Sequence, residues 1–127
     1  LQLAPDDPVA LMRQGTLSLR VGDFSNAIPS LTRALSLTNA YPARLGRAFA
    51  FFNTGHLDEA EADYQALLQA FPADPQAWMG LAEIACQRRD TNAAIRYYQR
   101  CLSQVPAGSE EAQVVAARLK TLKQVLR

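Results

Sequence analysis

Apolar residues along this chain return at intervals of three and four, broken by short polar stretches, which is the spacing of amphipathic helices. On that period helices are predicted over 8–21, 25–37, 41–53, 58–70, 75–88 and 92–104, and a seventh begins at Ser109. The break inside each pair carries nearly the same phrase: Gly22-Asp23-Phe24-Ser25-Asn26-Ala27, then Gly55-His56-Leu57-Asp58-Glu59-Ala60, then Arg89-Asp90-Thr91-Asn92-Ala93-Ala94, at spacings of 33 and 34 residues. A unit of that length is a helix, a tight turn and a second helix, too small to bury its own apolar face, so copies must stack. The fold class implied is all-α, an α-solenoid of three helix pairs over 8–40, 41–74 and 75–108, closed by a capping helix over 109–127.

Registering the copies on the shared phrase aligns Ala27 with Ala60 and Ala94, Leu31 with Tyr64 and Tyr98, and Ala34 with Leu67 and Cys101. These i, i+4, i+7 positions make one apolar stripe on each second helix, small where helices touch and large where a gap must be filled. Asp23 or Ser25, Asp58, and Asp90 or Asn92 are the candidate caps of those helices, and Ser109 caps the seventh. Asp58, Glu59, Glu61 and Asp63 place negative charge near a helix start, where the macrodipole favours it. Pro29 lies near the start of its helix and is expected to distort it only locally. Pro72 and Pro106 close the second and third units, with Asn39 in that place in the first. The seventh helix shows a single apolar face of Ala112, Val115, Ala116, Leu119, Leu122 and Leu126, with Arg118, Lys120, Lys123 and Arg127 towards its end, where cations offset the dipole. Leu1-Gln2-Leu3-Ala4-Pro5-Asp6-Asp7 has the composition of a closing unit, Pro5 aligning with Pro72, so a further unit is expected upstream.

Composition narrows the function. The 127 residues suffice for one stable core, and 13 basic against 12 acidic side chains leave a formal net charge of +1. No global field draws the chain to nucleic acid or anionic membrane, and no apolar run reaches the length of a bilayer span. Only two of the 13 basic residues are lysine, which with abundant alanine suggests a GC-rich bacterial genome. Cys86 and Cys101 have neither the spacing of a metal site nor the density of a disulfide framework, and are read as small buried hydrophobes. The sole histidine, His56, beside Asp58 and Glu59, is read as part of a solvated turn; no phosphate loop or nucleophile motif accompanies it. No enzymatic activity, metal or cofactor is expected.

These residues resemble the tetratricopeptide repeat family. The third unit matches its signature at Trp78, Leu81, Ala82, Ala94, Tyr98 and Pro106, with Cys101 in place of an alanine; the second keeps Ala48, Phe51, Gly55, Ala60, Tyr64 and Pro72 but sets Arg44 and Arg47 where the family has Trp and Leu; the first keeps Leu11, Gly15, Gly22, Ala27 and Ala34, with Gln14 and Ser18 departing. The resemblance covers residues 8–108 and implies a right-handed superhelix whose first helices line a concave groove for peptides or partner helices.

On a helical wheel the signature face of each first helix meets its own partner and an adjacent stripe is left over: Met12, Thr16 and Leu19; Leu45, Phe49 and Phe52; Met79, Glu83 and Cys86. These residues, with Arg20, Asn53 and Gln87 at the rim, are the predicted partner-binding groove. Burial among neighbouring first helices stands open as the alternative for Met12, Leu45 and Met79; partial exposure is expected for Phe49 and Phe52. Leu45, Phe49 and Phe52 are the expected anchors, with Asn53, Glu83 and Arg20 setting register. The co-chaperone subfamily that grips a chaperone's C-terminal carboxylate does so with cationic and amide side chains, where this chain has Met12, Thr16, Gly46, Gln76 and Gly80, so that activity is not expected. The function implied is a protein-protein interaction module for a protein or peptide partner, with a structural or homo-oligomeric segment, or an accessory region of a larger bacterial enzyme, as alternatives. A cytoplasmic location is expected, or a periplasmic one if a signal peptide lies upstream.

Overall fold

The computed structural model describes residues 7–126. Seven helices make up the regular structure of those residues: α1 (Pro8–Arg20), α2 (Phe24–Leu37), α3 (Tyr41–Asn53), α4 (Leu57–Ala70), α5 (Pro75–Gln87), α6 (Thr91–Ser103) and α7 (Glu110–Val125). Both bounds of each of the six helices predicted from periodicity fall within one residue of these. The expected upstream unit rests on residues 1–6 and lies outside the described residues, as does Arg127; Asp7 belongs to α1, whose start it caps.

Local chemistry explains the starts. Asp7 and Asp74 each precede a proline at the first helical position, and their Oδ1 atoms accept the N–H of Val9 and Gln76, both at 3.0 Å. Asp23, Asp90 and Ser109 accept from Asn26, Ala93 and Ala112, each cap contributing about 1 kcal/mol. Asp58 is not a cap: α4 begins at Leu57, which puts Asp58 and Glu59 inside the first turn. Pro29 is accommodated within an unbroken α2. The turns inside the pairs need a left-handed residue, supplied by Gly22 (φ 78°) and Gly55 (φ 81°), but by Arg89 (φ 61°) in the third.

The chain divides into two compact units, one through Leu67 and one from Leu68 onward. In the first, Ala27, Leu31 and Ala34 of α2 pack with Ala43 and Ala50 of α3, and Leu11, Met12, Leu19 and Phe24 close around them. Leu31, 1% exposed, enters the space left by Gly15, where an added Cβ would stand 2.5 Å from Leu31 Cδ2. Burying a leucine in this way is worth about 2 kcal/mol. In the second unit Ala82, Tyr98, Cys101, Val115 and Leu119 form the core, with Trp78, Met79 and Leu122 against it. Trp78 Nε1–H donates to the Pro72 carbonyl at 3.0 Å, and the Cys101 thiol donates to the Pro75 carbonyl at 3.4 Å. The apolar stripe of each second helix is buried as its spacing requires. That of α7 is narrower than expected: Ala112, Val115 and Leu119 are buried, but Ala116 and Leu126 are exposed.

Candidate functional site

In the first unit, α1 divides into faces. Gly15 faces Leu31 of α2, while Leu11, Met12 and Leu19 pack on the core that α2 and α3 share. Leu19 approaches Gly46, where an added Cβ would lie 3.0 Å from Leu19 Cδ1. Leu19 is thus covered by the neighbouring first helix, and Met12 is partly buried against the core. Thr16 and Arg20 remain exposed, in line with Val9 and Arg13 at i, i+4, i+7 and i+11.

On α3, Leu45 and Phe52 are half-buried and Phe49 is 46% exposed. Phe49 is held edge-on by Phe24 at the start of α2, with ring centroids 5.6 Å apart and planes at 69°. That pairing steadies an aromatic ring which still presents half its surface to solvent, the combination a hydrophobic anchor site needs. Asn53 is exposed, and its Nδ2 donates to the Phe49 carbonyl at 2.8 Å, so that donor is engaged within its own helix.

The two departures from the repeat signature in α3 have a partner. Arg47 donates through Nε and Nη2 to both carboxylate oxygens of Asp63 on α4, at 2.8 and 2.7 Å, and Arg44 Nη1 reaches the same carboxylate at 3.2 Å. Arg44 also donates to Asn39 and Arg47 to Thr32, and the Arg47 guanidinium lies over the Phe51 ring at 5.6 Å. Asp63 is 3% exposed. Its reading as a helix-start charge is corrected: it stands between Ala60 and Tyr64 on the buried stripe and neutralises two half-buried arginines where the third unit places Trp78 and Leu81. Its signal in the sequence was the coincidence of two arginines at apolar positions with an acid on the buried face of the next helix.

In the second unit the predicted residues separate. Met79 packs against the core, Glu83 is half-buried, and Cys86 and Gln87 are exposed. Cys86 is thus not the buried hydrophobe expected; it lines a cleft of about 330 Å³ with Tyr98, Ala117, Arg118, Thr121 and Leu122. Cys101 is fully buried, and burial, followed by the nearby Glu111 and Asp74 charges, pushes its thiol pKa up. Arg118, read from sequence as a dipole-offsetting cation, instead ties three helices together: its Nη1 donates to Glu83 Oε1 at 3.0 Å and to the Tyr98 hydroxyl at 3.1 Å. Those two bonds raise the Arg118 pKa, the Tyr98 bond contributing more. Burial raises the Tyr98 pKa, and the bond from Arg118 only partly offsets it. Glu83 is therefore engaged by the chain's own last helix.

His56 sits at the turn before α4, with Nδ1 2.7 Å from the Thr54 hydroxyl and its ring against Phe51. Among the described residues no three His, Cys, Asp or Glu side chains gather as metal ligands, and no helix is long and apolar enough to cross a membrane.

Known proteins bear on this arrangement. A 73-residue stretch is 34% identical to mouse DnaJ homolog subfamily C member 3, covering 57% of this chain and 14% of that protein. The chain thus spans about a seventh of that relative's length. Among solved structures, PcrH in complex with the chaperone binding region of PopD superposes with a TM-score of 0.87 at 18% identity, covering 98% of this chain and 97% of that one. The first tetratricopeptide domain of Spaghetti (RPAP3), bound to the HSP90 peptide SRMEEVD, does so with 0.81 at 19% identity, covering 99% and 98%. At such identities the likeness establishes the fold, the all-α repeat fold of these domains. The tetratricopeptide repeat profile itself matches residues 45–109, just over half the sequence, and the chain belongs to the tetratricopeptide repeat family.

Proposed function

We propose that this chain binds a peptide or helix of another protein through the first-helix surface of its first unit, with Leu45, Phe49 and Phe52 as anchors. Tetratricopeptide domains are protein-interaction scaffolds that work by presenting a surface, and the reading needs no catalytic step. The observation that carries it is Phe49: a large aromatic side chain, 46% exposed, steadied edge-on by Phe24 and flanked by the half-buried Leu45 and Phe52. A buried anchor on a partner would cover that ring and gain the transfer free energy still available to it, about 1 kcal/mol or more. Two of the structures with this fold hold a peptide or a partner's binding region. Met12 and Leu19 support the surface from beneath, Thr16 and Arg20 edge it on α1, and Asn53 edges it on α3. Met79, Glu83, Cys86 and Gln87 belong to the first helix of the second unit, where Glu83 is already paired.

Selection of a randomised dodecapeptide display library on the intact chain tests this. Enriched peptides are expected to lose at least about tenfold in affinity on Phe49→Ala/Phe52→Ala, with the helical circular dichroism retained. Enriched peptides indifferent to that substitution would refute the assignment.

A further inference from the structure

We propose that the segment taken up by this surface is acidic beside its apolar anchors, its carboxylates meeting Arg13 and Arg20. This rests on the binding reading above and specifies the partner's chemistry.

Charge on the first unit is sorted by helix. Neither α1 nor α3 contains an aspartate or glutamate, and together they carry four arginines. Arg44 and Arg47 are consumed by the buried Asp63. Arg13 and Arg20 are exposed and have no ion-pair partner among the described residues. Among the described residues the acids of this unit lie elsewhere: Asp7 and Asp23 are spent capping α1 and α2, and Asp58, Glu59, Glu61 and Asp63 all stand on α4. The first-helix surface is left with two uncompensated cations in a chain that is nearly neutral as a whole.

They stand on the helix that packs beside the anchor-bearing α3. Val9, Arg13, Thr16 and Arg20 share one exposed strip of α1, next to the face on which Leu19 packs towards Gly46 of α3. Arg20 precedes by four residues Phe24, the ring that holds Phe49. In this proposal a segment anchored on Phe49 runs past Arg20 along the same strip. Arg20 alone has a local explanation, because a cation in the last turn offsets the helix dipole. Arg13 lies mid-helix and has none. Guanidinium groups take carboxylates in paired hydrogen bonds, which suits an aspartate or glutamate side chain better than an isolated dipole.

The same selection is run on three proteins: the intact chain, Arg13→Gln/Arg20→Gln and Phe49→Ala/Phe52→Ala. Peptides enriched on the intact chain are expected to combine apolar residues with an excess of Asp and Glu. Exchanging those acids for amides in one enriched peptide should weaken binding about fivefold at low salt, as expected for two exposed pairs, and much less at about 0.5 M salt. On Arg13→Gln/Arg20→Gln the exchange should make no difference, while dependence on Phe49 and Phe52 persists. Enriched peptides that are neutral or basic, or an acid preference retained without the two arginines, would overturn the inference while leaving the binding surface intact. Binding indifferent to both pairs of substitutions, or no enrichment at all, would overturn it together with the reading on which it rests.

Discussion

Removing the Asp63 carboxylate should be among the most damaging single changes to this chain. Asp63→Ala deletes the acceptor of three hydrogen bonds, at 2.7, 2.8 and 3.2 Å, and leaves two guanidinium groups facing a gap. Breaking a fully buried ion pair from one side costs about 3–5 kcal/mol, because a charge stays behind in a poorly solvated place. Here the stranded side chains keep 25% and 19% of their exposure, so some hydration remains, and the expected loss is nearer ~2–3 kcal/mol. The remedy differs from the damage: Arg44→Trp/Arg47→Leu/Asp63→Ala, which restores apolar packing, should lie close to the parent in stability or above it, since well-packed apolar replacements of such clusters are often neutral or favourable. Urea unfolding followed by circular dichroism measures both, with a slope of order 1–3 kcal/mol per molar converting the midpoint shift. A loss under about 1 kcal/mol for Asp63→Ala, or a triple variant as unstable as the single one, would refute the account. A double-mutant cycle between Arg47 and Asp63 should then return most of the loss as coupling.

Arg89→Gly should raise stability by about 0.5–1 kcal/mol, because Arg89 holds the left-handed turn that Gly22 and Gly55 adopt without steric cost; a lowered melting temperature would contradict this. Gly15→Ala should cost about 1–3 kcal/mol, the new methyl overlapping the buried Leu31, and a neutral result would mean that Leu31 has room to move. Stability should fall as pH rises through the ordinary range of Cys101, near 9.0, and then of Tyr98, near 10.0. Both folded-state values are raised, so the unfolded chain loses these protons first and gains in relative stability. Melts from pH 8 upward test the sign, and Cys101→Ala should flatten the first part of the slope. Arg118→Ala should speed amide exchange in α7 with little change in α5, since it loses the bonds to Glu83 and Tyr98.

Period, helix ends and the small-large-small stripe were legible because each is local: a capping Asp or Ser, a proline at the first helical position and apolar spacing act within a few residues. What escaped was pairing at a distance. Asp63 is an ordinary helix-start acid until α3 is brought beside α4, and the exposure of Cys86 depends on a cleft bounded by side chains some thirty residues later. Glu83 looked free on the wheel, yet Arg118 claims it across 35 residues. A wheel orders the faces of one helix but does not say which neighbour covers each, so Met12 and Leu19 are partly buried against the core while Phe49 stays exposed.

The arginines of the first unit carry this distinction to the partner. Judged by departure from the repeat signature, Arg44 and Arg47 are the anomalous residues and Arg13 and Arg20 are ordinary surface. The structure reverses the ranking. Arg44 and Arg47 are answered within their own helix pair by Asp63, so their charge is spent on holding α3 to α4 and little of it reaches a ligand. Arg13 and Arg20 break no pattern, but nothing on α1 or α3 answers them. A partner meets only charge that the fold has left uncompensated. Neutralising Arg13 and Arg20 should therefore change binding and spare stability, whereas disturbing Arg44, Arg47 or Asp63 should change stability first, and binding only through it.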